Sequence, residues 1–290
     1  MAGLLAAGPA IARIPLRAIT GDQTPATLRI LEALKHRFAG LLIVNDVKAM
    51  ANREAAAIYF AIGPAALVAA STSGLHGPVL SLFTSRQTFE QIVAKAAGGD
   101  HSRAVTAIYA EASPDSQLRL IAAIFQRRVS VGVLLTPATA HLGPLLARAA
   151  RDVGLEINVH HAAPGANIVR ELNRLSTSDV LLAIPDASLY SADSVQNILE
   201  STYRRGQPIV GLSQGLVGAG ALASAYASAE DIAAQSEELL DELEAGRIPE
   251  ARYPAYWRVA VNDSVARSLN IVISDEARSL GDRPPPDRAR

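Results

Sequence analysis

The sequence predicts an α/β protein of two lobes, each built on a parallel sheet covered by helices on both faces. Three observations carry that prediction. Short apolar runs bounded by turn residues alternate with segments whose apolar residues recur at helical spacing. The links between them are short, as expected when helices serve as the crossovers between parallel strands. The alternation then starts a second time at Val129, so one run of βα units follows another.

The first run opens with a strand over Ile14–Ile19. Thr24 has the chemistry of an N-cap and Pro25 suits the first helical position, so a helix runs from there to about Phe38. Strand Leu41–Val44, helix Ala49–Ala57 and strand Tyr59–Ile62 follow, the last stopped at Gly63-Pro64 before a short helix to Ser71. Strand Val79–Phe83 ends at Thr84-Ser85, and a helix spans Gln87–Ala97. Strand Ala104–Tyr109 leads to Ser113-Pro114-Asp115, which caps a helix reaching Gln126.

In the second run, Val129–Leu135 is a strand ending at Thr136-Pro137-Ala138-Thr139. Helix Leu142–Val153, strand Leu155–His160 and helix Asn167–Leu175 come next. The strand Val180–Ile184 stops at Pro185-Asp186, because proline cannot donate to a central ladder. A helix with Val195, Ile198, Leu199 and Tyr203 on one side leads to strand Pro208–Leu212 and the turn Ser213-Gln214-Gly215. Ser228–Leu243 is an amphipathic helix, Trp257–Val261 a strand, Asp263–Leu269 a short helix and Ile271–Ile273 an extended piece. The polar, proline-rich stretch 281–290 reads as a disordered tail.

Composition narrows the function. With 27 basic and 28 acidic residues the net charge is −1, which gives no electrostatic footprint for nucleic acid or an anionic membrane. The chain has no cysteine, so disulfide, thiolate and zinc–thiolate chemistry are excluded. Met1–Ala12 is uncharged and apolar and ends in Ala10-Ile11-Ala12 before Arg13. That resembles the second half of a secretory signal peptide whose basic leader is missing, and residues 1–12 are read as its remnant. No later stretch reaches the roughly eighteen apolar residues that span a bilayer.

Gly211-Leu212-Ser213-Gln214-Gly215 matches G-x-S-x-G after a strand, which leaves a cytosolic α/β hydrolase using Ser213 as an alternative. A nucleophile elbow also requires a helix directly after it and, downstream, an acid and then a histidine. Here the following residues are glycine-rich, and all six histidines precede Ser213, so the simpler reading is a strand-to-loop turn with no catalytic residue. His160-His161 is not read as a metal site, because neighbouring strand residues face opposite ways. No phosphate cradle or cofactor motif is present. The acidic run Glu237, Glu238, Asp241, Glu242 and Glu244 reads as a solvated helix face. There remain polar groups at strand C-termini, where open parallel sheets bind ligands. They are Gly63, Thr84 and Ser85 in the first lobe, and Thr136, Thr139, Asp186, Ser188, Ser213 and Gln214 in the second.

The stretch from Asp179 through Gly246, with Ile248-Pro249 and WRVAVNDSVARSLNIVIS after it, resembles the substrate-binding proteins of ABC transporters, in the group that includes tryptophan- and tyrosine-type binding proteins. The likeness runs from about Val129 to Ile273, with YFAIGPAALVAAS as its counterpart in the first lobe. It implies a type I periplasmic-binding-protein fold, two doubly wound parallel-sheet lobes joined by a three-strand hinge. Lobe one would comprise 13–127 and 227–250, and lobe two 128–226 and 251–275. Family ligand contacts would fall on Ile62-Gly63-Pro64, Leu135-Thr136-Pro137, Pro185-Asp186 and Leu212-Ser213, with Asp186 accepting from a ligand amino or hydroxyl group. The chain has Thr84-Ser85 where the family usually shows Asp-Pro, and Thr136-Pro137 where Asn-Pro is common. Five Phe, seven Tyr and one Trp leave little aromatic surface for a pocket. The implied protein is a monomeric, non-catalytic periplasmic binder of a small polar molecule, amino acid-like or a carboxylate, that serves a membrane permease. A ligand-sensing subunit of a signalling receptor is the variant.

Overall fold

In the computed structural model, which describes residues 14–44, 47, 56–96 and 104–285, two sheets form the frame. The first has strands in the order β2-β1-β3-β4-β5, all parallel: β1 (Leu16–Thr20), β2 (Leu42–Val44), β3 (Ile58–Ile62), β4 (Val79–Thr84) and β5 (Val105–Tyr109). The second runs β11-β10-β9-β8-β6-β7, from β6 (Ser130–Leu135), β7 (Glu156–His161), β8 (Val180–Ala183), β9 (Ile209–Gly211), β10 (Ala223–Tyr226) and β11 (Arg258–Val261). Its pairings are parallel except the edge pair β10–β11, which is antiparallel.

Both faces of each sheet are covered, and the period-two alternation along a strand sorts its side chains between them. Ile58, Phe60 and Ile62 of β3 pack with Leu31 and Leu34 of α1 (Pro25–Arg37) and with Ile232, Leu239 and Leu240 of α9 (Ala229–Glu244). Tyr59 and Ala61 point the other way, onto Ala66, Leu67 and Ala70 of α2 (Gly63–Thr72) and Phe89 of α3 (Arg86–Ala96). In the second sheet, Val131, Val133, Val180 and Leu182 pack on α4 (Pro114–Phe125) and α5 (Gly143–Asp152). Leu134, Leu181 and Ile209 face α6 (Ile168–Asn173), α7 (Ala192–Tyr203) and α8 (Gln214–Ala219).

The chain passes between the lobes three times: at Glu111–Ser113, at Tyr226–Ser228, and through Glu250–Trp257. The crossings are laced together. Glu111 bridges Tyr226 antiparallel, and Ile108 bridges Arg252 in parallel. The side-chain amide of Gln117 clamps the Ala225 backbone from both sides, donating to its carbonyl at 2.7 Å and accepting from its N–H at 2.9 Å. Asp231, buried at the start of α9, takes two hydrogen bonds from Arg258 of β11 at 2.7 and 2.8 Å, tying one lobe to the other.

Several sequence expectations change. Helix α4 packs in the second lobe, because Leu118, Ile121 and Ile124 are buried against β6 and β8, so the first crossing comes before it rather than at 127. Arg252 and Tyr253 lie against β5 of the first lobe, so the second lobe's last segment begins after them. That segment also extends past 275, through α10 (Asp263–Ser268) and α11 (Asp275–Ser279), whose Ala277 is fully buried. The predicted tail is partly packed: the Trp257 N–H donates to the Asp282 carbonyl, and Arg283 Nη1 donates to the Trp257 carbonyl at 2.6 Å. Glu237 is not on a solvated face but pairs with Arg37 of α1 at 2.8 Å. The predicted helix over 49–57 and the reading of residues 1–12 fall almost wholly outside the described residues, as do positions 286–290 of the tail.

Candidate ligand site between the lobes

At their carboxyl ends, strands of both sheets open on one cleft, whose cavity has a volume of about 20 Å³. Arg86, Glu111 and Tyr253 line it from the first lobe and hinge, with Thr139, His141 and Pro185 opposite. That volume accommodates about one water molecule, so a solute of amino-acid size requires the lobes to part.

The first-lobe wall is set by a break in β4. Phe83 adopts a left-handed conformation (φ 58°) and the pairing with β5 shifts there, which turns the chain so that Ser85 caps the next helix. Arg86, first residue of α3, donates its backbone N–H to Glu111 Oε1 at 3.0 Å and its Nε to Glu90 at 2.7 Å. Its guanidinium lies over the Tyr253 ring, 5.8 Å from the centroid, and Tyr253 in turn packs edge-on against Tyr109. Glu111 is 8% exposed, and among the described residues its Oε2 has no hydrogen-bond partner. Burial drives its pKa up, to about 7, against the opposing pull of the backbone N–H groups and of Arg86.

The second-lobe wall is different in kind. Asp186 is buried, and both its oxygens are occupied within its own lobe. Oδ2 accepts from Thr136 at 2.6 Å and from Thr139 at 3.2 Å, while Oδ1 accepts from the Ser188 N–H and hydroxyl. Burial alone would raise its pKa, but the hydrogen bonds from Ser188, Thr136 and Thr139 outweigh that and hold it below the ordinary value. The network staples the ends of β6 and β8 together.

Of the residues singled out in the sequence, Thr139 lines the cavity, while Thr136, Asp186 and Ser188 form the network behind it. Thr84 is buried, its hydroxyl without a partner among the described residues, and Ser85 is a helix cap. Gly63 (φ +81°) and Pro64 begin α2 and do not line this cavity. The G-x-S-x-G segment does run into a helix, contrary to the sequence reading. Ser213 has ordinary extended backbone, is exposed, and accepts from Leu216 N–H as the N-cap of α8, where Gln214 is the first residue. The strained residue is Leu212 (φ 67°), and among the described residues no histidine hydrogen-bonds to Ser213. His160 is occupied with Glu171 at 2.5 Å. Among the described residues no three metal-ligating groups cluster.

Arg86, Glu111 and Tyr253 were missed. Glu111 had a signal: it is a carboxylate directly beyond a buried strand, the same placement that drew attention to Asp186. Tyr253 had none, since its place depends on the third crossing.

Two doubly wound lobes, three crossings and strand ends on a shared cleft define the type I periplasmic-binding-protein fold. No protein-family model matches the chain, and no curated protein matches it. Solved structures do match in fold. An ABC domain in complex with L-Trp from Streptococcus pneumoniae is similar over 92% of this chain and 99% of its own, with TM-score 0.58 and 14% identity. A conserved domain protein from Vibrio cholerae is similar over 92% and 98%, with TM-score 0.58 and 17% identity. A ligand-free, open structure of a substrate-binding protein with adhesive properties from Clostridium difficile is similar over 91% and 97%, with TM-score 0.62 and 14% identity. At these identities the likeness is one of fold. Among the described residues, no helix is long and apolar enough to cross a membrane.

Proposed function

We propose that this protein is an extracytoplasmic solute-binding protein that holds a small polar molecule, amino acid-like or a carboxylate, between its lobes and presents it to an ABC-type permease. The carrying observation is the cleft itself: strand ends of two independently cored sheets face each other across a laced three-segment hinge, with Arg86 and Glu111 on one wall. The names of the similar solved structures, which include a substrate-binding protein and a Trp-bound ABC domain, support this reading. The protein acts as a monomer without catalysis. The hydrolase alternative lacks support in the geometry, because Ser213 Oγ is held as a helix cap.

A thermal-shift screen against amino acids, carboxylates, nucleosides and sugars tests the proposal. A solute that binds only the folded protein raises its Tm by mass action. If no member of the panel raises Tm at millimolar concentration, the solute-binding reading is lost. Turnover of an ester substrate that disappears in Ser213→Ala would instead favour the enzyme.

A further inference from the structure

Five buried side-chain polar atoms lack a partner among the described residues: the hydroxyls of Ser71, Ser81, Thr84 and Thr106, and Glu111 Oε2. Only Glu111 also lines the inter-lobe cavity, and it is the only carboxylate of the set. An unpaired buried carboxylate oxygen is far more costly than an unpaired hydroxyl, so its persistence at a ligand cleft calls for a partner the protein does not itself supply.

We infer that Glu111 is the residue by which this cleft selects its solute, its free Oε2 accepting from a protonated amine on the bound molecule. The inference rests on the solute-binding reading and specifies its chemistry. Glu111 is well placed for the role. One oxygen is pinned by the Arg86 backbone N–H, which orients the carboxylate and leaves the other oxygen as the acceptor. Its backbone pairs with Tyr226, so the carboxylate sits on the hinge, where the first two of the three crossings meet. The opposite wall consists largely of Ala183, Ile184, Pro185 and Leu212, and among the described residues its polar members Thr139 and His141 make no hydrogen bond to Oε2, the Thr139 hydroxyl being committed to Asp186. Asp186 cannot take the same role without breaking its own network, since four donors already occupy it.

Closure and occupancy are then coupled through one atom. Closing over an empty cleft buries an unpaired carboxylate, which the protein avoids by staying open or by taking up a proton. Closing over an amine replaces water at Oε2 with a charge-assisted hydrogen bond. The charged and titratable groups around Glu111 are Arg86 and Glu90 from α3, Tyr109 from β5, Tyr253 from the third crossing and His141 from the second lobe. Protons and the amine compete for the same carboxylate. Affinity therefore reaches its plateau above the pH where Glu111 ionises and weakens below it.

The test is calorimetry and thermal shift on wild type, Glu111→Gln and His141→Asn. The probes are the proteinogenic amino acids, their deamino and 2-hydroxy acid counterparts, putrescine, glucose and myo-inositol. We expect an amine-bearing probe to bind wild type, its amine-free counterpart to bind ~10- to 100-fold more weakly, and Glu111→Gln to lose a similar factor for the amine alone, as a charged hydrogen bond dictates. Wild-type affinity should fall by up to about tenfold per pH unit below about pH 7, with the slope kept in His141→Asn and absent in Glu111→Gln. The wild-type pH series stands even if the glutamine variant folds poorly. Tight binding of an amine-free probe with Glu111→Gln unaffected overturns the role of Glu111 and leaves the solute-binding proposal intact. Failure of every probe to bind wild type overturns both.

Discussion

Glu111 and Asp186 are both carboxylates at the end of a buried strand, yet their surroundings push them in opposite directions. Asp186 has four donors and stays ionised; Glu111 has an unpaired oxygen, and burial raises its pKa to about 7. The consequences for stability have opposite signs. Because the folded protein binds a proton at Glu111 more tightly than the unfolded chain, its cost is small below about pH 4.5, grows between there and about pH 7, and is full above that. Glu111→Gln should therefore leave stability nearly unchanged at pH 4 and raise it by up to about 3 kcal/mol at pH 8, measured by urea denaturation. A variant less stable than wild type at pH 8 would contradict the burial of an unpaired charge. For Asp186 the folded pKa is depressed, so its contribution is full above the ordinary carboxylate range and is lost as pH falls below it. Asp186→Ala leaves the Thr136 and Thr139 hydroxyls without their acceptor and should cost about 3 kcal/mol at pH 7, with the loss shrinking towards pH 2.

At the scale of elements, the glycine of the G-x-S-x-G pattern has a packing role. Gly211 ends β9 at φ +111°, and a Cβ there would lie 2.7 Å from the Ala183 carbonyl oxygen of β8. Gly211→Ala should lower stability by more than ~2 kcal/mol from backbone strain and strand separation, while an exposed control such as Gly215→Ala should cost less. Equal costs in thermal denaturation would show that the close approach of β9 to β8 is unimportant. Asp231 carries two duties, as the N3 residue of α9's capping box and as the partner of Arg258 across the lobes. Losing both in Asp231→Ala should cost about 2 kcal/mol, while Arg258→Ala leaves the cap and should cost less. Much of this level was legible in the sequence: the caps at Thr24 and Ser113, and the strand stop at Pro185, follow from local chemistry. What was not legible is that Ser213 caps a real helix, because glycine-rich QGLVGA has poor helix propensity and is helical through the packing of Leu216 and Val217.

Across both lobes, the small cavity and the three-segment hinge predict motion. A chain without cysteine accepts a labelled pair cleanly, so spin labels at Arg29→Cys in α1 and Glu200→Cys in α7 report the distance between lobes. The distribution should include a longer distance without solute and collapse to a single shorter one when a stabilising probe is added. An identical distribution in both conditions would show that the lobes do not close on ligand.

The sequence by itself determined the βα alternation, its restart near Val129, the two-lobe architecture and the polar character of the strand ends, because each follows from local periodicity and turn chemistry. Tertiary structure alone decided which of those polar ends is committed and which is free. Asp186 is saturated by Thr136 and Thr139, some fifty positions upstream, and Glu111 is oriented by an N–H twenty-five positions away. It also decided that Tyr253 completes the wall and that α4 belongs to the second lobe. Such outcomes depend on long-range strand pairing and on which apolar faces meet, and no window of neighbouring residues contains that information.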